Sequence, residues 1–422
     1  MVRSTRSRVP CTTARGFRGQ LFDQPSLSAL QTYSQQNLMI RQSLLSVLAF
    51  AAVACSSSNP TPDTQPQPRQ GQRGSAPRTD SARANRVVEN ARPDAPARAG
   101  LLVVANQEGA SATIIDAATL KTIATVPVGV GPHETAVSPD GRWAIVTNYG
   151  NRDVLGNTLS VIDLAAAKLS VVRTIDLGEY HRPHGAAFIR DGAKIVVTSE
   201  TSQRLVVVDF ATGKVDTALA SNARGTHMVA VRRDGKRAWT ANIAEGNVTE
   251  FDLDAMRTVR ALPAGAMSEA IATTPGGILV WVGSNADKTV TILDTQRGEK
   301  VGSLSGFGSP YRIGISRTGR VAVVNDPVGN RIWLFEVGSN RELARIDLSK
   351  EKSIVLKDGG PPGINGAGPE GVTFDPIADV AYVTLHGTNQ VAGVDLESYK
   401  VIGVGAVGAG PDGIAYSPLV RR

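Results

Sequence analysis

Seven residues able to bind ligands or move protons recur at one place in the chain, the third residue of a Gly-Pro-x lead-in or a close variant of it. They are His133, His184, His227, Glu269, Tyr311, Glu370 and Asp412. Imidazole nitrogens suit Zn, Cu and Fe, and carboxylates complete such a shell. His133, His184 and His227 are therefore a candidate ligand set for a divalent transition metal. The same seven residues also suit the polar wall of a ligand site, or simply a solvated rim. A second group follows the next apolar run of each unit: Asn106, Asn148, Asn242, Asn325 and His386. Asn148 and His386 join the candidate binding set. The remaining histidine, His181, lies just before His184.

Other chemistry finds no support. There is no Gly-x-Ser-x-Gly, no His-Glu-x-x-His and no cysteine beyond Cys55, which removes the common nucleophile and zinc-protease motifs. The glycine-rich run 359–368 lacks the strand-to-helix setting of a phosphate loop and reads as a plain loop. Asp163, Asp209 and Asp294 close equivalent runs in several units. A residue repeated in this way stabilises turns rather than doing chemistry.

The elements that must position the seven residues follow from the repeat. Aligning short apolar runs on a terminal acid gives Asp116, Asp163, Asp209, Asp252, Asp294, Glu336 and Asp395, at spacings of 47, 46, 43, 42, 42 and 59. Each is preceded by a β-branched run, at 102–106, 144–148, 195–199, 238–242, 279–284, 321–325 and 381–384. Residues 131–164 show the full unit: strands over 135–138, 143–147 and 159–163, a Pro139-Asp140-Gly141 turn, and a loop over 148–157. Pro presets φ, Asp caps its own backbone and Gly takes positive φ, while the β-branched runs suit a pleated, half-buried surface. Four strands in about 40–45 residues indicate a propeller blade, and seven units predict an all-β, seven-bladed β-propeller. The chain begins at a second strand near Leu101 and ends on a first strand over 413–416. The last blade is thus expected to combine that C-terminal strand with three N-terminal ones, hiding the open edges. Insertions at 150–157 and 349–368 fall on the face that carries the seven residues.

The run SPDGRWAIVTNYG, followed by SVIDL and a Thr-Ile-x-x-Gly segment, resembles the YVTN-repeat β-propeller family. That family includes surface-layer and other exported bacterial propellers and borders the lactonase-like ones. The resemblance covers residues 101–417. It implies the propeller fold and says little of the chemistry, because propellers host many functions.

Residues 1–100 have a different character. Residues 1–54 hold six arginines and one acid, residues 55–100 seven arginines and four acids, and residues 101–422 hold 32 basic and 33 acidic residues. The positive charge thus belongs to the N-terminal part, and a nucleic-acid-binding face is not expected. Cys11 and Cys55 are the only cysteines, so no disulfide framework supports a domain large enough to do without one. Residues 39–54 have a charged start and a short apolar run, the pattern of a secretory signal. The run ends in Ala52-Val53-Ala54-Cys55, which is similar to a bacterial lipobox, although that pattern prefers Leu where Ala52 stands. Cys55 is the expected lipidation site, with plain signal cleavage the alternative. Residues 1–38 read as an upstream extension ahead of a start at Met39, or as a cytosolic extension. Residues 55–100, rich in Pro, Gln, Ser and Arg, read as a disordered tether, and residues 101–422 as the propeller.

Two function classes follow. One is a monomeric, membrane-anchored lipoprotein of the bacterial cell envelope, periplasmic or surface-exposed, that binds a small molecule, glycan or protein at the face of the seven residues. The other is a metal-assisted, lactonase-like hydrolase at the same face, with the metal polarising a carbonyl or activating water.

Overall fold

A computed structural model describes residues 97–354 and 366–421. The expected extension, signal, Cys55 site and nearly all of the tether lie outside the described residues, as does most of the insertion at 349–368.

The described chain folds into seven four-stranded antiparallel sheets. Six blades take their strands in chain order. Their innermost strands are β4 (Pro132–Val137), β8 (Pro183–Ile189), β12 (Thr226–Val231), β16 (Ser268–Thr273), β20 (Arg312–Ile315) and β24 (Pro369–Asp375), for blades 1 to 6. Blade 7 is ordered β28-β1-β2-β3, with β28 (Pro411–Ser417) innermost, then β1 (Leu101–Asn106), β2 (Ser111–Asp116) and β3 (Thr122–Pro127). The register runs from Leu101 opposite Ser417 to Asn106 opposite Pro411. The expected closure is therefore observed, and the ring has no open seam.

Pleating explains why the second strands are buried along their whole length. In β1, Leu101, Val103 and Ala105 pack with Ala144, Val146 and Ile162 of blade 1. Leu102 and Val104 face the other way, against Val380, Tyr382 and Ile402 of blade 6. Alternate side chains of one strand thus enter two inter-blade cores, and each buried Val or Leu contributes about 1.5–3 kcal/mol. The aspartates that close the third strands cap the following turn. Asp209 accepts hydrogen bonds from the Thr212 amide and hydroxyl, both at 2.8 Å, and Asp294 accepts from the amides of Gln296 and Arg297. Asp163 accepts from the Ala165 amide and pairs with Arg142.

One expectation needs correction. Residues 148–157 are not a plain loop, since β5 (Trp143–Gly150) and β6 (Leu155–Asp163) continue as a hairpin with Gly150 opposite Leu155. The Asn151 side chain accepts from the amides of Asp153 and Val154 and shapes the tip. Gly150 is required there: its φ is +92°, and a Cβ would stand 2.1 Å from the Val154 carbonyl.

Candidate functional site

Inner strands start on one face of the ring, here called upper, and end on the lower face. At the upper start of β4, two residues, His133 and Glu134, oppose the single Thr147. The same irregularity places His184 and Gly185 opposite Thr198, and Glu370 and Gly371 opposite Thr384. A bulge of this kind turns consecutive side chains to different sides, so each inner strand offers two residues at the mouth. In three blades the second of these is glycine, because the next blade comes too close for a side chain. A Cβ on Gly185, Gly371 or Gly413 would stand 2.7, 2.2 or 2.5 Å from neighbouring backbone atoms. In blades 1 and 5 that position carries Glu134 and Arg312.

Arg312 is the centre of the site. It is 3% exposed. Its Nε and Nη2 each lie 3.0 Å from Glu134 Oε1, Nη1 lies 2.6 Å from Glu269 Oε1, and Nη2 lies 3.5 Å from Asp412 Oδ1. Its guanidinium also covers the Tyr311 ring at 4.5 Å. From it a continuous chain of contacts runs around the channel. Glu269 pairs with His227 Nε2 at 2.8 Å, and His227 Nδ1 is 3.8 Å from Glu200. Glu200 accepts from the Tyr149 hydroxyl at 2.5 Å, and the Tyr149 ring packs on His133 at 4.4 Å. His133 Nδ1 returns to Asp412 at 2.9 Å, while its Nε2 accepts from the Gln107 amide at 2.8 Å. His184 sits inside this loop, 3.8 Å from the His227 ring and 4.7 Å from the His133 ring. To one side, His386 Nδ1 pairs with Glu370 at 3.0 Å, with Glu108 3.7 Å from its Nε2.

Burial and pairing divide the charges. Burial pushes the Glu134 carboxyl up against the pull of Arg312, and it raises Glu370 against His386. Burial opposes ionisation of Glu269 too, yet His227 and Arg312 overcome it and hold that carboxyl down to about 2. Asp412 is likewise lowered, by Arg312 and His133 against burial. Burial disfavours the charged form of His227, but Glu269 and Glu200 raise it to about 10. Glu370 raises His386 to about 9 in the same way. His184 has no such partner. Burial, with His227 and His133 beside it, drives its pKa well below the usual value. It is a neutral imidazole between rings, and its buried Nδ1 has no hydrogen-bond partner.

The structure thus brings together His133, His184, His227, Glu269, Tyr311, Glu370 and Asp412, with His386 beside Glu370. It does not bring Asn148 to the mouth. The Asn148 amide donates to Thr158 and Ser160 of its own blade, and its oxygen accepts from the Gly129 amide. His181 uses its backbone carbonyl to accept from Ser199, and its Nδ1 is buried without a partner.

The metal expectation for His133, His184 and His227 is not met by this arrangement. Imidazoles sharing an ion direct nitrogens at one point about 2 Å away, whereas these rings lie over one another at tilts of 43° and 39°, with His133 Nδ1 paired with Asp412 and His227 Nε2 with Glu269. Among the described residues, no group of three or more His, Cys, Asp or Glu side chains is placed to hold a metal ion. Sequence reasoning missed Arg312, Glu134, Tyr149 and Glu200. The signal for the first two is the column after the seven residues, where Gly185, Gly371 and Gly413 contrast with Glu134 and Arg312.

No family model matches the chain, and no curated protein matches it. Among solved structures it is similar to a functionally unknown protein from Desulfotomaculum acetoxidans DSM 771. The match is 16% identical with a TM-score of 0.61, and it covers 75% of this chain and 99% of that one. At this identity the likeness shows the fold alone. The fold is also widespread, with 1684 chains matching, so it does not select a function.

Proposed function

We propose that this chain is an exported propeller of the YVTN-repeat type that binds a ligand at its upper channel mouth. In this reading a diacylated Cys55 anchors it in the bacterial cell envelope, and the segment after it spaces the propeller from the membrane. The observation that carries the binding reading is the neutral, buried His184, whose Nδ1 lacks a hydrogen-bond partner, as does Nδ1 of His227 beside it. A buried polar atom without a partner costs about 1–3 kcal/mol, and a ligand hydroxyl, which donates and accepts, would remove that cost. The aromatic faces of Tyr149 and Tyr311 and the half-buried His133 suit a hydroxyl-bearing small molecule or a glycan end better than a flat protein surface. The hydrolase reading is the weaker one, because His133 and His227 each direct a nitrogen at a carboxylate rather than at a shared point.

A thermal-shift screen of sugars, polyols and lactones against wild type and His184→Ala tests the reading. A ligand raises the melting temperature of wild type and not of the variant. No ligand at saturating concentration, or the same shift in both proteins, would sink it. Metal analysis after incubation with Zn, Cu, Fe and Mn separates the second reading. A stoichiometric ion lost on His184→Ala would favour the hydrolase.

A further inference from the structure

Below the layer of Arg312 and its carboxylates, the channel opens toward the lower face. Two cavities of about 470 and 620 Å³ lie there, meeting at Val137 and Pro139. None of the upper-mouth residues lines either one. Both volumes lie within the roughly 300–1,000 Å³ usual for small-molecule sites. Their walls include Val137, Ala187, Val231 and Ile315, from the lower ends of four inner strands. At the rim stand Arg233 in the first cavity and Arg317 in the second, both exposed. The Arg233 guanidinium donates to the Arg317 backbone carbonyl, which brings it across from blade 3 to blade 5. Neither arginine pairs with a carboxylate among the described residues. Their neighbour Arg232, in contrast, is engaged by Asp234 at 2.8 Å. Ile377, 71% exposed, extends the apolar surface outward from the second cavity.

We propose that this lower half of the channel is a second binding site, for an amphiphilic anion. The apolar chain of the ligand lies among Val137, Ala187, Val231 and Ile315, and a phosphate or carboxylate head is held by Arg233 and Arg317. Two guanidiniums that meet no carboxylate among the described residues select an anion, since each offers donors in a planar fork. The aliphatic walls select an anion with an apolar body over a free inorganic ion. The head has two possible sources, a free amphiphile or the acidic lipids of a membrane. Leu101 pairs with Ser417 at the lower end of β28, so the N-terminal segment joins the propeller on this same lower face. The site stands independently of the ligand at the upper mouth.

The test uses the full chain carrying Cys55→Ser, so that no acyl anchor contributes. Calorimetry with dodecyl phosphate, with inorganic phosphate as control, reads the free amphiphile. Co-sedimentation with phosphatidylcholine vesicles, with and without phosphatidylglycerol, reads the membrane. Binding of either acidic probe is expected, falling about tenfold or more in Arg233→Gln/Arg317→Gln, as loss of charge-assisted hydrogen bonds implies. Dodecyl phosphate alone identifies a free amphiphile, and phosphatidylglycerol vesicles alone identify the membrane. Binding to neither overturns the proposal, as does binding that the double variant retains. Inorganic phosphate binding as tightly as dodecyl phosphate overturns the apolar half. Should the double variant not fold, Arg317→Gln alone decides, since its guanidinium holds no acid in place.

Discussion

Arg312 and Glu134, 178 residues apart in the chain, meet at 3.0 Å across the channel. Each is the second residue at the start of an inner strand, in blades 5 and 1 of the ring. Glu134 has this freedom because its neighbour in the closing blade is Gly413, where a Cβ would stand 2.5 Å from Glu134 Oε2. One guanidinium thereby ties its own blade to three others, through Glu134, Glu269 and Asp412.

Arg312→Met should destabilise the protein by about 3–5 kcal/mol, because it leaves buried carboxylates without their cation. Urea unfolding measures this. A double variant that also carries Glu134→Gln should recover part of the loss, since one stranded charge is gone. A single variant as stable as wild type would show that the pair is not coupled to folding.

Stability should fall on the alkaline side. His227 and His386 have pKa values raised from 6.5 to about 10 and about 9. Between pH 6.5 and those values the folded state holds protons that the unfolded chain has released. The stabilisation is therefore complete below pH 6.5 and is lost as pH rises through about 9 and then about 10. The melting temperature against pH checks this, and His227→Gln should flatten the decline. The Glu269 contribution runs the other way, present above pH 4.5 and lost as pH falls toward about 2.

Deleting residues 410–422 removes β28, which exposes β1 and the flank of β4. The truncated chain should lose several kcal/mol or fail to fold. A subtler probe is Ile414→Ala, expected to cost about 2–5 kcal/mol at a buried aliphatic position. A truncated protein that melts with wild type would refute the closed ring.

The proposed export rests on the sequence of residues 39–55. Intact-mass analysis of membrane fractions should find a mature chain beginning at a diacylated Cys55, and Cys55→Ser should leave the membrane fraction. A mature chain that retains Met1 would dismiss the signal.

Much of this was legible in the sequence because propellers repeat. The acids that close the third strands, Asp116 through Asp395, mark every blade, and the lead-in to each inner strand marks seven residues that do meet. What stayed hidden depends on register. The pairing of Glu134 with Arg312 needs the bulge and the ring, neither of which is local. Asn148 misleads because in the sequence it reads as the end of a strand before a loop, yet it lies within β5 and turns to Thr158 and Ser160. Asn106 does the same toward Ser111 and Thr113, and Asn242 toward Asn247 and Thr249. Such recurrence signals a structural role, as it does for the aspartates. The hairpin over 150–155 was obscured by Gly150 and Asn151, which serve its tip.

The closing blade also determines how the molecule responds to force. Leu101 and Ser417 stand side by side at the same end of two antiparallel strands. Tension applied through the two ends of the chain would not shear β1 along β28. It would peel the strands apart one pair at a time, from Leu101 toward Asn106, so each hydrogen bond meets the load alone. The ring should therefore open at this one blade under modest pulling, while the other six, joined in chain order, stay intact until later.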